Sequence, residues 1–293
     1  MRVQLLSLLR CILELSVNCF RYLYILIALS NLSSTRLKLV WRRYLALGDS
    51  FSEGLSDPYP DGTYCGWTDR TASYLSSIQS DFQYANLAIR GRKMHRIIDE
   101  QVPIALEMNP DLVSIAAGVN DALRRNWEPI SVVKKYEHGI SQLRRNGIEV
   151  LIVAFGDPEN RGQLAGVRDR LKFLNNETVK LAQKYDCRLV DFWPERGFDH
   201  DVFWSDDRLH LSSLGHEYAA KAALHALGLH DDSWRNPNIE FPPDPNWVGR
   251  RISDFRWIWD HMAPWAIRRI QGRSSGDGLL PKRPQFSPML PIN

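Results

Sequence analysis

Five short apolar runs recur along the middle of this chain, each followed by a stretch with helical spacing. Tyr44-Leu45-Ala46-Leu47 ends at Gly48, and Phe82–Leu87, Leu112–Ala117, Ile148–Ala154 and Arg188–Phe192 come after it. These are strand lengths, and short continuous apolar runs belong in sheets buried on both faces. Amphipathic patterns cover Trp67–Ile78, Met94–Glu107, Ile130–Arg145, Val167–Tyr185 and Leu214–Leu227. Strands that alternate with helices in this way predict a five-stranded parallel sheet with helices on both faces, an α/β domain. Ligands bind such sheets at the carboxyl ends of the strands. The residues just after each run are therefore the place to look for chemistry.

Composition narrows the function classes. The AVILMFWYC set makes up 44% of the 293 residues and charged residues 24%, which excludes a disordered, collagen-like or multi-pass membrane chain. The net charge of +3 conceals an asymmetry: residues 1–43 carry seven Lys/Arg against one Glu, and residues 44–230 carry 21 basic against 26 acidic residues. An acidic body lacks the basic groove of a nucleic-acid binder. Four cysteines (Cys11, Cys19, Cys65, Cys187) show neither CxxC nor metal-ligand spacing, so no disulfide scaffold, structural metal or other cofactor is expected.

Three segments are expected: residues 1–42, 43–230 and 231–293. The first is apolar and basic, but Glu14 and Arg21 interrupt its longest apolar stretch. It reads as an anchor or interfacial helix, a cleaved signal peptide, or an extension outside the fold. The localisation expected is cytoplasmic, with membrane association through residues 1–42 as the alternative. The third segment is rich in Trp and Arg. Val248–Ile270 has a helical pattern interrupted by Pro264, and Gly272–Pro284 reads as a flexible tail.

Four pieces of chemistry sit at the proposed strand ends. Ser50, in Gly48-Asp49-Ser50, directly follows the first run. A serine hydroxyl needs an adjacent base to act as a nucleophile. Asp207-Arg208-Leu209-His210, after the fifth run, supplies one: a carboxylate three residues before an imidazole can hold its Nδ1–H and leave Nε2 for the serine. Asn120, in Gly118-Val119-Asn120-Asp121 after the third run, can aim an amide N–H at a developing oxyanion. Gly91, after the second run, offers a backbone N–H that can approach a substrate closely. Plainer readings stand beside these. Ser50 and Asn120 are both good helix N-caps. Asp206 competes with Asp207, at a spacing of four. His216 lacks the second histidine of a zincin and reads as a helix residue. Ser52–Gly66 reads as a long loop, either a surface connection or a wall of the site.

The order GDS, Gly, GxND, DxxH resembles the SGNH (GDSL) esterase/lipase superfamily over residues 44–229. Leu112–Asp121, Asp207–His216 and the Trp-rich C-terminal region look like actinobacterial members. The resemblance implies a three-layer α/β/α, flavodoxin-like fold. It implies Ser50 as nucleophile, His210 as base, Asp207 as its orienting partner, and an oxyanion hole of Ser50 N–H, Gly91 N–H and the Asn120 side chain. The usual Leu of GDSL is Phe51 here. The function expected is a serine esterase acting on a small-molecule or lipid ester. A membrane-associated lipid acyl hydrolase and a non-catalytic binding protein on the same fold are the alternatives. No G-x-S-x-G elbow surrounds Ser50, which sets the chain apart from the α/β-hydrolases.

Overall fold

The structure is a computed structural model and describes residues 41–159, 165–236, 239, 274–290 and 292. The N-terminal segment and the Val248–Ile270 pattern lie outside the described residues. No described helix is long and apolar enough to cross a membrane.

Five parallel strands form where the apolar runs place them: β1 (Arg43–Gly48), β2 (Gln83–Asn86), β3 (Leu112–Ala116), β4 (Glu149–Ala154) and β5 (Arg188–Asp191). The sheet order is β5-β4-β3-β1-β2, extended at the β2 edge by a sixth strand, β6 (Arg283–Pro288). β6 runs antiparallel to β2, so the sheet is mixed, not the expected all-parallel five. The expected flexible tail ends in this strand. β6 contains two prolines and lacks the alternation of a half-buried strand, which removes any strand signal from its sequence. An edge position tolerates them, because a proline lacks only the N–H that one side of an edge strand leaves unpaired anyway.

Helices α1 (Ser50–Glu53), α2 (Gly66–Ile78), α3 (Val102–Met108), α4 (Pro129–Arg145), α5 (Arg168–Lys184) and α6 (Ser213–Ala226) cover the sheet. One face is mainly apolar. Leu45, Leu47, Val113, Ile115, Val150 and Ile152 alternate along the central strands and pack with Tyr136, Ile140 and Leu143 of α4 and Leu174 and Leu181 of α5. The opposite face, beneath α2 and α6, carries buried polar groups that pair with one another. Tyr44 Oη and Ser114 Oγ lie 2.8 Å apart, Tyr84 donates to Thr68 Oγ1 at 2.8 Å, and Asn86 Nδ2 donates to Ser52 O at 2.8 Å. Pairing offsets the desolvation that an orphaned buried hydroxyl or amide would incur. The Asn86 bond ties β2 to the helix that begins at Ser50.

The expected helix Met94–Glu107 is not uniform. A turn at Met94–Arg96 leads into a π-helical stretch, Ile97–Gln101, before α3 begins. π-bulges re-aim side chains within a helix. Here Gln101 is buried against the end of β1, where its Oε1 accepts from Gly48 N (2.8 Å) and its Nε2 donates to Gly48 O (2.9 Å). Nothing in the sequence marks Gln101 except a polar residue within an apolar pattern.

Candidate active site

β1 runs straight into Asp49, whose side chain caps α1 by accepting from Phe51 N at 3.1 Å. Ser50 is the first residue of that helix and half-buried. Its backbone N–H is one of the early donors that an α-helix leaves without an internal acceptor. Phe51 turns inward against Trp67 and Phe155, with ring centroids 5.7 and 5.4 Å away.

The chain after β5 brings the imidazole to this serine across 160 residues of sequence. His210 Nε2 lies 2.9 Å from Ser50 Oγ, and His210 Nδ1 lies 2.5 Å from Asp207 Oδ2. Asp207 also accepts from Ser205 Oγ (2.7 Å) and from the backbone N–H groups of Leu209 and His210 (2.9 Å each). Burial works against its charge, but the bonds from His210 and its neighbours outweigh burial and hold the carboxyl well below the usual carboxylate range. Asp206 is exposed. The spacing of three, not four, is the one that meets His210.

Asn120 stands on the other side of Ser50's turn, in the short helix Val119–Ala122 after β3. Its Nδ2 donates to Asp49 Oδ2 at 2.9 Å and to Arg92 O at 3.2 Å. Both amide hydrogens therefore have acceptors, and the Arg92 bond is the longer. Burial pushes the Asp49 carboxyl up to about 6, against the pull of the Phe51 N–H, Asn120 and His210. Above that pH it is an anion that fixes the orientation of the Asn120 amide. Asp121 accepts from Met94 N at 2.8 Å, tying the Asn120 turn to the segment after β2.

Gly91 lies in the loop between β2 and Met94, with a φ of +73° that L side chains rarely adopt. The loop is gripped by Glu53 of α1, whose Oε2 accepts from Arg90 N at 2.8 Å and whose carboxylate pairs with the Arg90 guanidinium. Arg92 pairs with Glu100. Glu53, Arg90 and Arg92 thus brace the site, roles that no motif announces. Beside this loop lies a cleft of about 420 Å³ lined by Lys93, Met94, Asp121, Arg124, Trp127 and His138, among others. Neither Ser50 nor His210 lines it. No group of three or more His, Cys, Asp or Glu side chains among the described residues is arranged to hold a metal ion.

The stretch expected as a loop, Ser52–Gly66, begins within α1 and ends at the first residue of α2, and the loop between them is braced. Asp57 accepts from Gly66 N (3.1 Å), Ser213 Oγ (2.6 Å) and Arg70, which links the loop to α2 and α6. His216 of α6 is wholly buried behind it. Its Nδ1 accepts from Trp67 N and its Nε2 donates to Leu55 O, both at 3.2 Å. Burial pushes this imidazole down to about 4, so it is neutral in the folded protein. The unfolded chain, near the ordinary 6.5, binds the extra proton between those values. This imidazole's contribution to stability is therefore full above about pH 6.5 and is lost as pH drops towards 4, whereas the raised Asp49 carboxyl works in the opposite direction below about 6. A melting-temperature series from pH 7 to 4 on wild type and a His216 variant should show this contribution as the difference between the two curves. His216→Gln, neutral throughout, should lower Tm at pH 7 and flatten that part of the curve; an unchanged slope would disprove the assignment.

Comparison with known proteins adds three findings. The family model described as GDSL-like lipase/acylhydrolase matches residues 46–218. No curated protein matches the chain. Solved structures match in fold. One is an α/β hydrolase enzyme from the metagenome of Lake Arreo, Spain, at 18% identity and a TM-score of 0.56, covering 65% of this chain and 97% of its own. A Trp-to-Ile variant of an acetyl xylan esterase from Geobacillus stearothermophilus matches at 16% identity and 0.55, covering 65% and 96%. Another acetyl xylan esterase matches at 21% identity and 0.53, covering 63% and 98%. At such identities the likeness is one of fold.

Proposed function

Since the chain belongs to the GDSL-like lipase/acylhydrolase family and is an ester hydrolase, we propose that it hydrolyses carboxylic esters by two-step acyl transfer through Ser50, His210 and Asp207. The observation that carries this reading is the unbroken chain Ser50 Oγ–His210 Nε2 (2.9 Å) and His210 Nδ1–Asp207 Oδ2 (2.5 Å). Ser50 Oγ bonds to the ester carbonyl carbon as its proton passes to His210 Nε2, and the carbonyl electron pair moves onto oxygen. Asp207 stabilises the imidazolium so formed and keeps its proton-bearing Nδ1 turned away from the serine. Collapse of the tetrahedral adduct expels the alcohol oxygen, which takes the proton back from His210. Water then attacks the acyl-enzyme by the same route, with His210 again as base.

The negative oxygen would be held by Ser50 N–H, Gly91 N–H and Asn120 Nδ2. Asn120 would keep its Asp49 bond and exchange its longer bond to Arg92 O for one to the oxyanion. Asn120→Ala should therefore lower kcat by about 10²–10³-fold with KM little changed. A near-wild-type kcat would remove Asn120 from the mechanism.

A fluorophosphonate tests the nucleophile without knowledge of the substrate. The expected result is a single covalent adduct mapped to Ser50 in the folded protein, together with turnover of p-nitrophenyl esters. The rates from acetate to palmitate then distinguish a short-acyl esterase from a lipid hydrolase. Failure of both labelling and turnover would favour a binding protein on this fold.

A further inference from the structure

The family match ends at residue 218, yet the chain returns to the site from well beyond it. Residues 274–279 form a tight turn closed by its own bonds: Ser274 N donates to Asp277 Oδ2 (2.7 Å), and Asp277 N donates to Ser274 O (3.2 Å). Ser274 Oγ reaches Gly91 and donates to its carbonyl oxygen at 3.4 Å. Gly276 comes so close to the Arg90 backbone that only glycine fits there, and Gly91 leaves room for the Ser274 hydroxyl. A Cβ added to Gly91 would lie 2.3 Å from Ser274 Oγ, and one added to Gly276 would lie 2.0 Å from Arg90 O. Asp277 also lies within ion-pair range of Arg92 (4.0 Å) and Arg96 (3.8 Å).

The contact at Arg90 O has a consequence for chemistry. The C=O of Arg90 and the N–H of Gly91 belong to one planar peptide unit, and a trans peptide points them in opposite directions. Whatever fixes the carbonyl also fixes the N–H. Among the described residues no hydrogen bond engages either atom of this unit; the turn bond from Arg92 N to Ile89 O (3.3 Å) and the Glu53 bond to Arg90 N flank it, and packing against Gly276 with the bond at Gly91 O adds the restraint from the C-terminal side. The turn is itself firmly moored. Just after it, Lys282 Nζ donates to Tyr64 O and Cys65 O at 2.8 Å each and pairs with the buried Asp69. β6 then pairs with β2, and Ile292 N donates to Ser73 Oγ at 2.7 Å.

We propose that the C-terminal turn Ser274–Asp277 is a positioning element for ester hydrolysis, which holds the Arg90–Gly91 peptide so that the Gly91 N–H is preorganised as an oxyanion donor. This rests on the catalytic reading of Ser50, Gly91 and Asn120 above. A preorganised donor acts on the transition state more than on the bound ester. Disturbing the turn should therefore lower kcat and spare KM.

The experiment uses the full chain and p-nitrophenyl acetate. Gly276→Val, which forces a side chain against Arg90 O, should lower kcat by about 10–100-fold, a part of the loss expected on removing one oxyanion donor, with KM within about threefold. The pH dependence of kcat/KM should be unchanged, because the Ser50–His210–Asp207 chain is untouched. Ser274→Ala removes one hydroxyl and little packing. It should lower kcat by about threefold, and it decides the matter if Gly276→Val does not fold. An active wild type whose variants keep kcat within twofold, or lose only KM, overturns this inference alone. A wild type that neither turns over esters nor takes up a fluorophosphonate overturns the catalytic reading and this inference with it.

Discussion

Replacing Ser50 with alanine is expected to lower kcat for p-nitrophenyl acetate by about 10⁴–10⁶-fold, with the fold and Tm retained. The size follows from what is removed. Without Ser50 Oγ there is no acyl-enzyme, and the remaining route is attack by water that His210 activates from a position not built for it. The oxyanion donors and binding contacts survive, so hydrolysis above the uncatalysed rate should persist. Ser50 is half-buried and its hydroxyl contacts His210, so the alanine leaves no large cavity. A variant within tenfold of wild type would show that the ester is hydrolysed elsewhere or by a different nucleophile.

Asp207→Asn is the second large effect, a loss in kcat of about 10³–10⁴-fold with KM little changed. The substitution is nearly isosteric, so the Ser205, Leu209 and His210 bonds that shape the turn can largely be kept through the amide oxygen. The charge is what disappears. The imidazolium formed during attack then lacks its anion, and an amide NH₂ facing Nδ1 favours the tautomer that carries its proton on Nε2, facing the serine. The pH profile adds a second reading. Asp207 is held below the usual carboxylate range, so wild-type activity should not lose this anion on acidification until well below pH 4. An Asp207→Asn variant with a rate within about tenfold of wild type would mean that another group orients His210.

Much of this was legible in the order of residues, and particular elements show why. The apolar runs Leu112–Ala117 and Ile148–Ala154 became β3 and β4, each with one residue trimmed. Runs of that kind have few stable alternatives, because a short stretch of β-branched and aliphatic residues between amphipathic helices can be buried only as an inner strand. The Ser50, Asn120 and His210 blocks were recognisable because each follows such a strand. β6 was not legible. Its two prolines and charged end carry no strand pattern, and it forms because an unpaired β2 edge lies beside a segment moored by Lys282. Gln101 was equally silent: a π-helical turn, not a motif, aims it at Gly48.

The α/β architecture, the parallel pairing of five strands and the placement of four reactive blocks after them are all legible along the chain. These follow from local periodicity, which each segment carries within its own residues. The rest is set by how the segments pack in the folded chain. That packing selected Asp207 over Asp206, engaged both Asn120 donors, and set Ser274 and Gly276 against Gly91 and Arg90. The Asp207–His210 contact spans three residues, but the Asn120 and Ser274 contacts join residues 28 to 183 positions apart. Their energies arise when distant segments meet and displace water, and no window along the chain contains both partners.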